Sequence, residues 1–176
     1  APSMLDRAYD FHGDAFLPVL EILQRTAPVT VLDVPHMWSE WTRTVLAGAD
    51  EVVITASPDL ANLRNTKNML DALKKLRPND RPPHLILNQV GMPKRPEIST
   101  SDFCEPLETD PVAIVTFDPQ LFGNAANSGR MISEIDARSP TAETFSQLAH
   151  IVTGRASVKK PKKGGLGKVL GLLGRK

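Results

Sequence analysis

The chain has 176 residues, a formal net charge of +1, 41% hydrophobic and 23% charged residues, and a single cysteine, Cys104. That size and mixture suit one soluble globular domain with a real core, and a lone cysteine excludes an internal disulfide framework and fits a reducing compartment. No apolar run approaches the roughly 20 residues that span a bilayer, and Ala1–Phe11 lacks the continuous apolar stretch of a signal peptide.

In chain order, Pro18 to Thr26 predicts a helix, with Val19, Leu20, Ile22 and Leu23 clustered behind a proline near its start. Val29–Val34 predicts a buried strand that closes on Leu32-Asp33-Val34-Pro35. A carboxylate at the carboxyl end of such a strand emerges into the crevice where open α/β sheets bind ligands. Asp33 is therefore a candidate magnesium-side carboxylate, although Asp and Pro are also ordinary strand-ending residues. Trp38, Trp41, Val45 and Leu46 share a helical face after it, suited to a core or to a partner surface. Glu51–Ala56 predicts a second strand, and Ser57-Pro58-Asp59 a helix start with Ser57 as cap and Asp59 near the positive end of the dipole. That helix should turn Leu60, Leu63, Leu70 and Leu73 inward and end before Pro78.

His84–Gln89 predicts a third strand, with a loop over Gly91–Ser101 at its mouth. Val112–Phe117 predicts a fourth, and Thr141 to about Val152 a last helix using Phe145, Leu148 and Ala149 and stopping near Gly154. This alternation predicts an α/β fold: a parallel sheet of at least four strands with helices on both faces. The four histidines, His12, His36, His84 and His150, show no metal-ligand spacing, and no metal site made of protein ligands is expected.

Charge divides the chain into a body, 1–154, and a basic tail, 155–176. The tail has eight basic and no acidic residues; the body has 13 basic against 20 acidic, about −7. Such a body is a poor nucleic-acid surface. In the tail, Leu166, Val169, Leu170 and Leu173 fall on one helical face, with Lys162 and Lys163 ahead of them. This is the outline of an amphipathic segment for an anionic membrane surface. Five glycines between Gly164 and Gly174, each costing roughly 1 kcal/mol relative to alanine in a helix, leave two other readings open, a disordered solubilising tail and a docking segment for an acidic partner.

Four pieces in order carry a resemblance. Val-Leu-Asp-Val-Pro-His-Met-Trp stands at 31–38, and Ala-Asp-Glu-Val-Val-Ile-Thr-Ala-Ser-Pro-Asp-Leu-Ala-Asn-Leu-Arg-Asn at 49–65. Leu-Ile-Leu-Asn-Gln-Val-Gly follows at 85–91, and Phe-Asp-Pro-Gln-Leu-Phe-Gly-Asn-Ala-Ala-Asn-Ser-Gly at 117–129. Over roughly 27–154 the chain resembles the ATPase domain of the CpaE/TadZ pilus-assembly proteins, a branch of the MinD/ParA superfamily of deviant-Walker ATPases. The resemblance implies the P-loop NTPase fold of the SIMIBI class, ATP and Mg2+ as cofactors, and an ATP-bound homodimer. It further implies pilus-assembly proteins of the type IV Flp/Tad system as partners, and a cytoplasmic protein held peripherally at the inner membrane by a tail similar to that of MinD-like proteins. By the same resemblance Asp33 is the Walker B/switch II aspartate, reaching magnesium through water, and the amide of Asn88 reads the adenine edge, where an amide's donor and acceptor match the base. Phe117, Asp118 and Pro119 form the loop beside the base. Taken alone, a strand-terminal Asn and an Asp-Pro pair are also common turn residues.

The family's phosphate loop, Lys-Gly-Gly-x-Gly-Lys-[Ser/Thr], is not found ahead of Asp33. Lys163-Gly164-Gly165-Leu166-Gly167-Lys168-Val169 imitates it, but Val169 offers no hydroxyl to magnesium and no strand precedes it. The fold is therefore expected to be incomplete on its N-terminal side, and the chain to be either the C-terminal part of an ATPase domain or a degenerate relative. No ATP hydrolysis is expected from this chain alone. A non-catalytic localisation or scaffolding module of the same fold is the alternative. Because the family's phosphate-loop strand lies between the Walker B strand and the next one, a gap or a forced re-pairing is expected there.

Overall fold

The computed structural model describes residues 13–35 and 37–155. Three apolar runs pair side by side as β1 (Val53–Ala56), β2 (His84–Val90) and β3 (Ala113–Thr116), in the order β1-β2-β3 and all parallel. Helices fill the connections: α1 (Gly13–Thr26), α2 (Glu40–Gly48), α3 (Leu60–Leu76), α4 (Thr100–Cys104), α5 (Pro119–Ser128), α6 (Ile132–Ile135) and α7 (Pro140–Val152).

Alternation along β2 explains both cores. Leu85 and Leu87 face one side and pack with Ala56, Phe103, Cys104 and Leu107, covered by Leu63 and Leu70 of α3. Ile86 faces the other and packs with Ala113 and Val115 under Phe122 of α5 and Leu148 of α7. The central strand is thus buried on both faces, which is why it reads as a continuous apolar run. Arg77, at the end of α3, reaches back to α2, donating to the Leu46 carbonyl at 3.2 Å and the Asp50 carbonyl at 3.4 Å while pairing with Asp80 at 2.7 Å.

The structure corrects the first strand. Val29–Val34 forms no ladder; the chain is unpaired there, with Val29 55% and Val31 86% exposed. The reason is a missing neighbour. Among the described residues β1 pairs with β2 alone, so its other edge is open, and an apolar run becomes a strand only when its backbone groups find partners. Among the described residues three strands stand where at least four were expected, and the open edge is that of β1, where the resemblance placed the absent strand.

Smaller differences have local causes. Asp59, not Ser57, caps α3, its Oδ1 accepting from the Asn62 N–H at 2.8 Å. Leu60 consequently lies in the first turn on the outer face, 71% exposed, while Leu73 is buried as expected. Pro18 sits inside α1 rather than near its start, where it can supply no N–H to the helix ladder. Trp38 precedes α2, whose cap is Ser39, and is 42% exposed. Trp41 stacks edge-on against Phe16 at 5.3 Å, and Phe145 of α7 is 40% exposed but meets Phe122 edge-on at 6.4 Å. The short elements α4, α5 and α6 were not foreseen.

Candidate functional site

Parallel strands bring their carboxyl ends to one side, and the site is built there. Leu87 pairs with Ile114 but Val90 pairs with Thr116, so β2 carries one extra residue between them. This bulge contains Asn88 and Gln89, and Gln89 takes φ +56°, the left-handed region that non-glycine residues rarely enter. Bulges of this kind re-aim side chains beside functional sites. Asn88 uses its own Oδ1 to accept the Gln89 N–H at 2.9 Å. Both residues line a cleft of about 160 Å³ together with Thr116, Phe117, Asp118, Pro119 and Phe122.

The rest of the wall is set by the entry into α5. Asp118 caps the helix, Oδ1 accepting from the Leu121 N–H at 2.9 Å, and Pro119 occupies the first turn, where its missing N–H is no loss. Asp118 thus shapes the cleft with a carboxylate already engaged. Phe117 is half-buried and tied to β2 by its N–H on the Val90 carbonyl at 2.9 Å. Phe122 brings an aromatic face that meets Phe145 edge-on and packs over Ile86, Ala113 and Val115. Two aromatic rings and an amide pair make a cleft suited to a flat, partly polar group such as a heterocyclic base.

Asn88, Phe117, Asp118 and Pro119, all named from the sequence, meet in this one cleft. Asp33 does not line it; it lies exposed in the unpaired segment before Pro35. Lys162, Lys163, Leu166, Val169, Leu170 and Leu173 lie outside the described residues. Gln89, Thr116 and Phe122 were missed by the sequence reading. Gln89 carried a signal, a second amide beside Asn88 at a strand end; Phe122 carried a fainter one, one helical turn beyond Pro119. A second recess, of about 370 Å³, is lined by Ser101, Cys104, Glu105, Glu108, Thr109 and Asp110; its three carboxylates disfavour an anionic ligand. Among the described residues no group of three or more His, Cys, Asp or Glu could hold a metal ion.

The loop after β2 completes the rim. Glu97 accepts the Gly91 and Met92 N–H groups at 2.9 and 3.0 Å and pairs with Arg95 at 2.7 Å. Ile98 N–H bonds the Pro58 carbonyl at 2.9 Å, stitching this loop to the end of β1. The Gly91 N–H chiefly, then the Arg95 guanidinium, hold the Glu97 carboxyl below its ordinary 4.5, with the Met92 N–H adding and burial opposing. A depressed carboxylate stabilises the fold above its unfolded pKa, and that stabilisation is lost as pH falls through the folded value. The Gly91 and Met92 amide resonances should therefore titrate together with a midpoint below the ordinary 4.5; a midpoint at or above that value would show the carboxylate is not held this way.

No protein-family profile matches the sequence, and no curated protein matches it. Solved structures do. The ParA family ATPase from Chlorobium tepidum TLS superposes with a TM-score of 0.72 at 17% identity, over 85% of this chain and 61% of that one. A chain of the MinC:MinD cell division protein complex of Aquifex aeolicus gives 0.68 at 17%, over 86% and 63%. The cell division ATPase MinD of Pyrococcus furiosus gives 0.68 at 19%, over 82% and 60%. The chain thus spans less than two thirds of the length of the structures it matches. The likeness establishes its fold, a parallel sheet with helices of the MinD/ParA P-loop NTPase type.

Proposed function

We propose that this chain is the base-binding part of a MinD/ParA-type ATPase that localises and assembles type IV (Flp/Tad) pilus machinery. The observation that carries the nucleotide part of the reading is the cleft at the carboxyl ends of β2 and β3, where Asn88 meets Phe117 in a fold shared with such ATPases. The pilus role rests on the sequence resemblance to CpaE/TadZ proteins.

The residues present fit one end of ATP. Asn88 and Gln89 offer amide groups and Phe117 and Phe122 apolar faces to a base. They do not fit the other end, because residues 1–32 hold a single glycine, Gly13, and no Lys-Gly-Gly-x-Gly-Lys-[Ser/Thr] run to supply backbone N–H groups to phosphates. No hydrolytic step is therefore assigned to this chain's residues. A segment carrying that loop and its strand would enter between 29–34 and the open edge of β1, pairing both and bringing Asp33 to the site. In that complete protein ATP and Mg2+ would bind, Asp33 would hold a magnesium-bound water, and ATP would drive homodimer formation.

The test is hydrolysis. The 176-residue chain should show no ATP turnover above background. A protein that also carries the phosphate loop should turn over, and Asp33→Ala should lower its magnesium-dependent rate by about tenfold or more, each tenfold being about 1.4 kcal/mol of transition-state stabilisation. Turnover by the short chain, or an unaffected Asp33→Ala enzyme, would contradict the assignment.

For the tail we propose peripheral attachment to anionic membranes through Lys162, Lys163 and the Leu166/Val169/Leu170/Leu173 face; no helix among the described residues is long and apolar enough to cross a membrane. Basic residues near an anionic surface contribute about 1 kcal/mol each. Vesicle co-sedimentation at low salt should separate the intact chain from one ending at Gly154; equal partitioning would remove the membrane role.

A further inference from the structure

The bulge at Gln89 is held from outside the strand. Arg95 donates through Nη1 to Gln89 Oε1 at 3.2 Å and through Nη2 to the Gln89 carbonyl, and the same Nη2 pairs with Glu97 at 2.7 Å. Glu97 in turn binds the two N–H groups that follow the strand, those of Gly91 and Met92. The pair itself is only 19% and 21% exposed, whereas Gln89 is exposed, so the Arg95–Glu97 bond is the better shielded part of the clasp. Gln89 at φ +56° and Gly91 at φ +82° are both left-handed. For glycine that is ordinary, whereas a glutamine stays there only where its surroundings hold it. Arg95 and Glu97 are those surroundings.

The contacts also decide which ends of two amides remain for a ligand. A backbone N–H and a guanidinium only donate, so the Asn88 oxygen is fixed by the Gln89 N–H and the Gln89 oxygen by Arg95. Both NH2 groups carry no hydrogen bond among the described residues, and both residues line the cleft. The two amides therefore offer donors to the cleft, across from the Asp118 carboxylate, which only accepts. Two such donors between aromatic faces match a purine edge whose unprotonated ring nitrogens accept.

Resting on the base-binding reading above, we infer that Arg95 and Glu97 are positioning residues that lock the Gln89 bulge and so present the Asn88 and Gln89 amide donors to ring nitrogens of an adenine-type base. Arg95 acts through Gln89 and need not touch the ligand. Lysine cannot replace it, because one point-like ammonium does not reproduce the fork that spans the Gln89 side chain, the Gln89 carbonyl and Glu97.

The experiment uses the whole chain, labelled with ¹⁵N and titrated with adenosine, 1-deazaadenosine, 3-deazaadenosine and 7-deazaadenosine, each deaza analogue lacking one ring acceptor. In the unaltered protein adenosine should bind at least one analogue's worth tighter, by about tenfold for one lost hydrogen bond from a positioned donor. Arg95→Lys and, separately, Glu97→Gln should shift the Gln89 and Gly91 amide resonances, keep the chain folded, and bring the affinity ratio of adenosine to that analogue close to one. If both variants keep the ratio, the clasp is only a loop staple and the inference fails while the base-binding reading stands. If adenosine perturbs no cleft resonance of the unaltered chain, the base-binding reading itself fails and takes the inference with it. Should one variant not fold, the other decides.

Discussion

Leu87→Ala is expected to lower the free energy of unfolding by about 2–5 kcal/mol, the range for removing a large apolar side chain from a core that cannot collapse around the loss. Leu87 has no exposed surface and lies in the middle strand, packed with Leu85, Ala56, Phe103 and Leu107. Neighbours on both adjacent strands fix its position, so little relaxation is available. Against a typical total of about 5–15 kcal/mol this is a large fraction, and it should appear as a lower urea midpoint at unchanged slope. Val31→Ala is the control. Were Val29–Val34 a buried strand, it too would cost 1 kcal/mol or more, roughly the price of a smaller core deletion. At 86% exposure it should instead stay within about 0.5 kcal/mol. Equal costs for the two substitutions would mean that 29–34 is paired into the sheet.

Asn88→Asp is expected to abolish base discrimination while leaving the bulge in place. The carboxylate keeps an acceptor for the Gln89 N–H, now bonded at 2.9 Å by Asn88 Oδ1, but replaces the NH2 donor with a negative oxygen. Loss of the one hydrogen bond that the NH2 donor gives a base costs about 1–1.5 kcal/mol, roughly tenfold in affinity. Asn88→Ala removes both functions and should in addition move the Gln89 amide resonance, because its N–H loses its partner. Adenosine titration of the two variants separates the roles. If Asn88→Asp binds as tightly as the unaltered chain, the NH2 group does not meet the ligand.

Three of the strands were legible because each is a short apolar run bounded by breakers, and the double burial of β2 shows in Leu85-Ile86-Leu87. Val29–Val34 has the same local appearance. What differs is the partner, a property of remote backbone that no local pattern contains, and the resemblance alone pointed to the gap. Cap choice failed for a related reason: Ser57 and Asp59 are both good caps, and the end of β1 at Ala56, with the turn at Pro58, decides between them. In the cleft, Asn88 and Phe117–Pro119 were named through the resemblance. The bulge at Gln89 was not, because it arises from the register between β2 and β3. Its clasp left a trace, opposite charges at Arg95 and Glu97 on either side of Pro96, which becomes meaningful once Gly91 turns the loop back upon the strand end.

The proposed site, at the carboxyl ends of β2 and β3, is one that receives a nucleoside base. The most direct measurement maps adenosine onto the ¹⁵N-labelled chain at millimolar concentration, where a base without phosphate contacts can still populate its site. Saturable shifts are expected only at Asn88, Gln89, Thr116, Phe117, Asp118 and Phe122, the residues around the cleft that carry a backbone N–H. Shifts centred instead on the acidic recess at Ser101–Asp110, or no saturable shift at all, would contradict it.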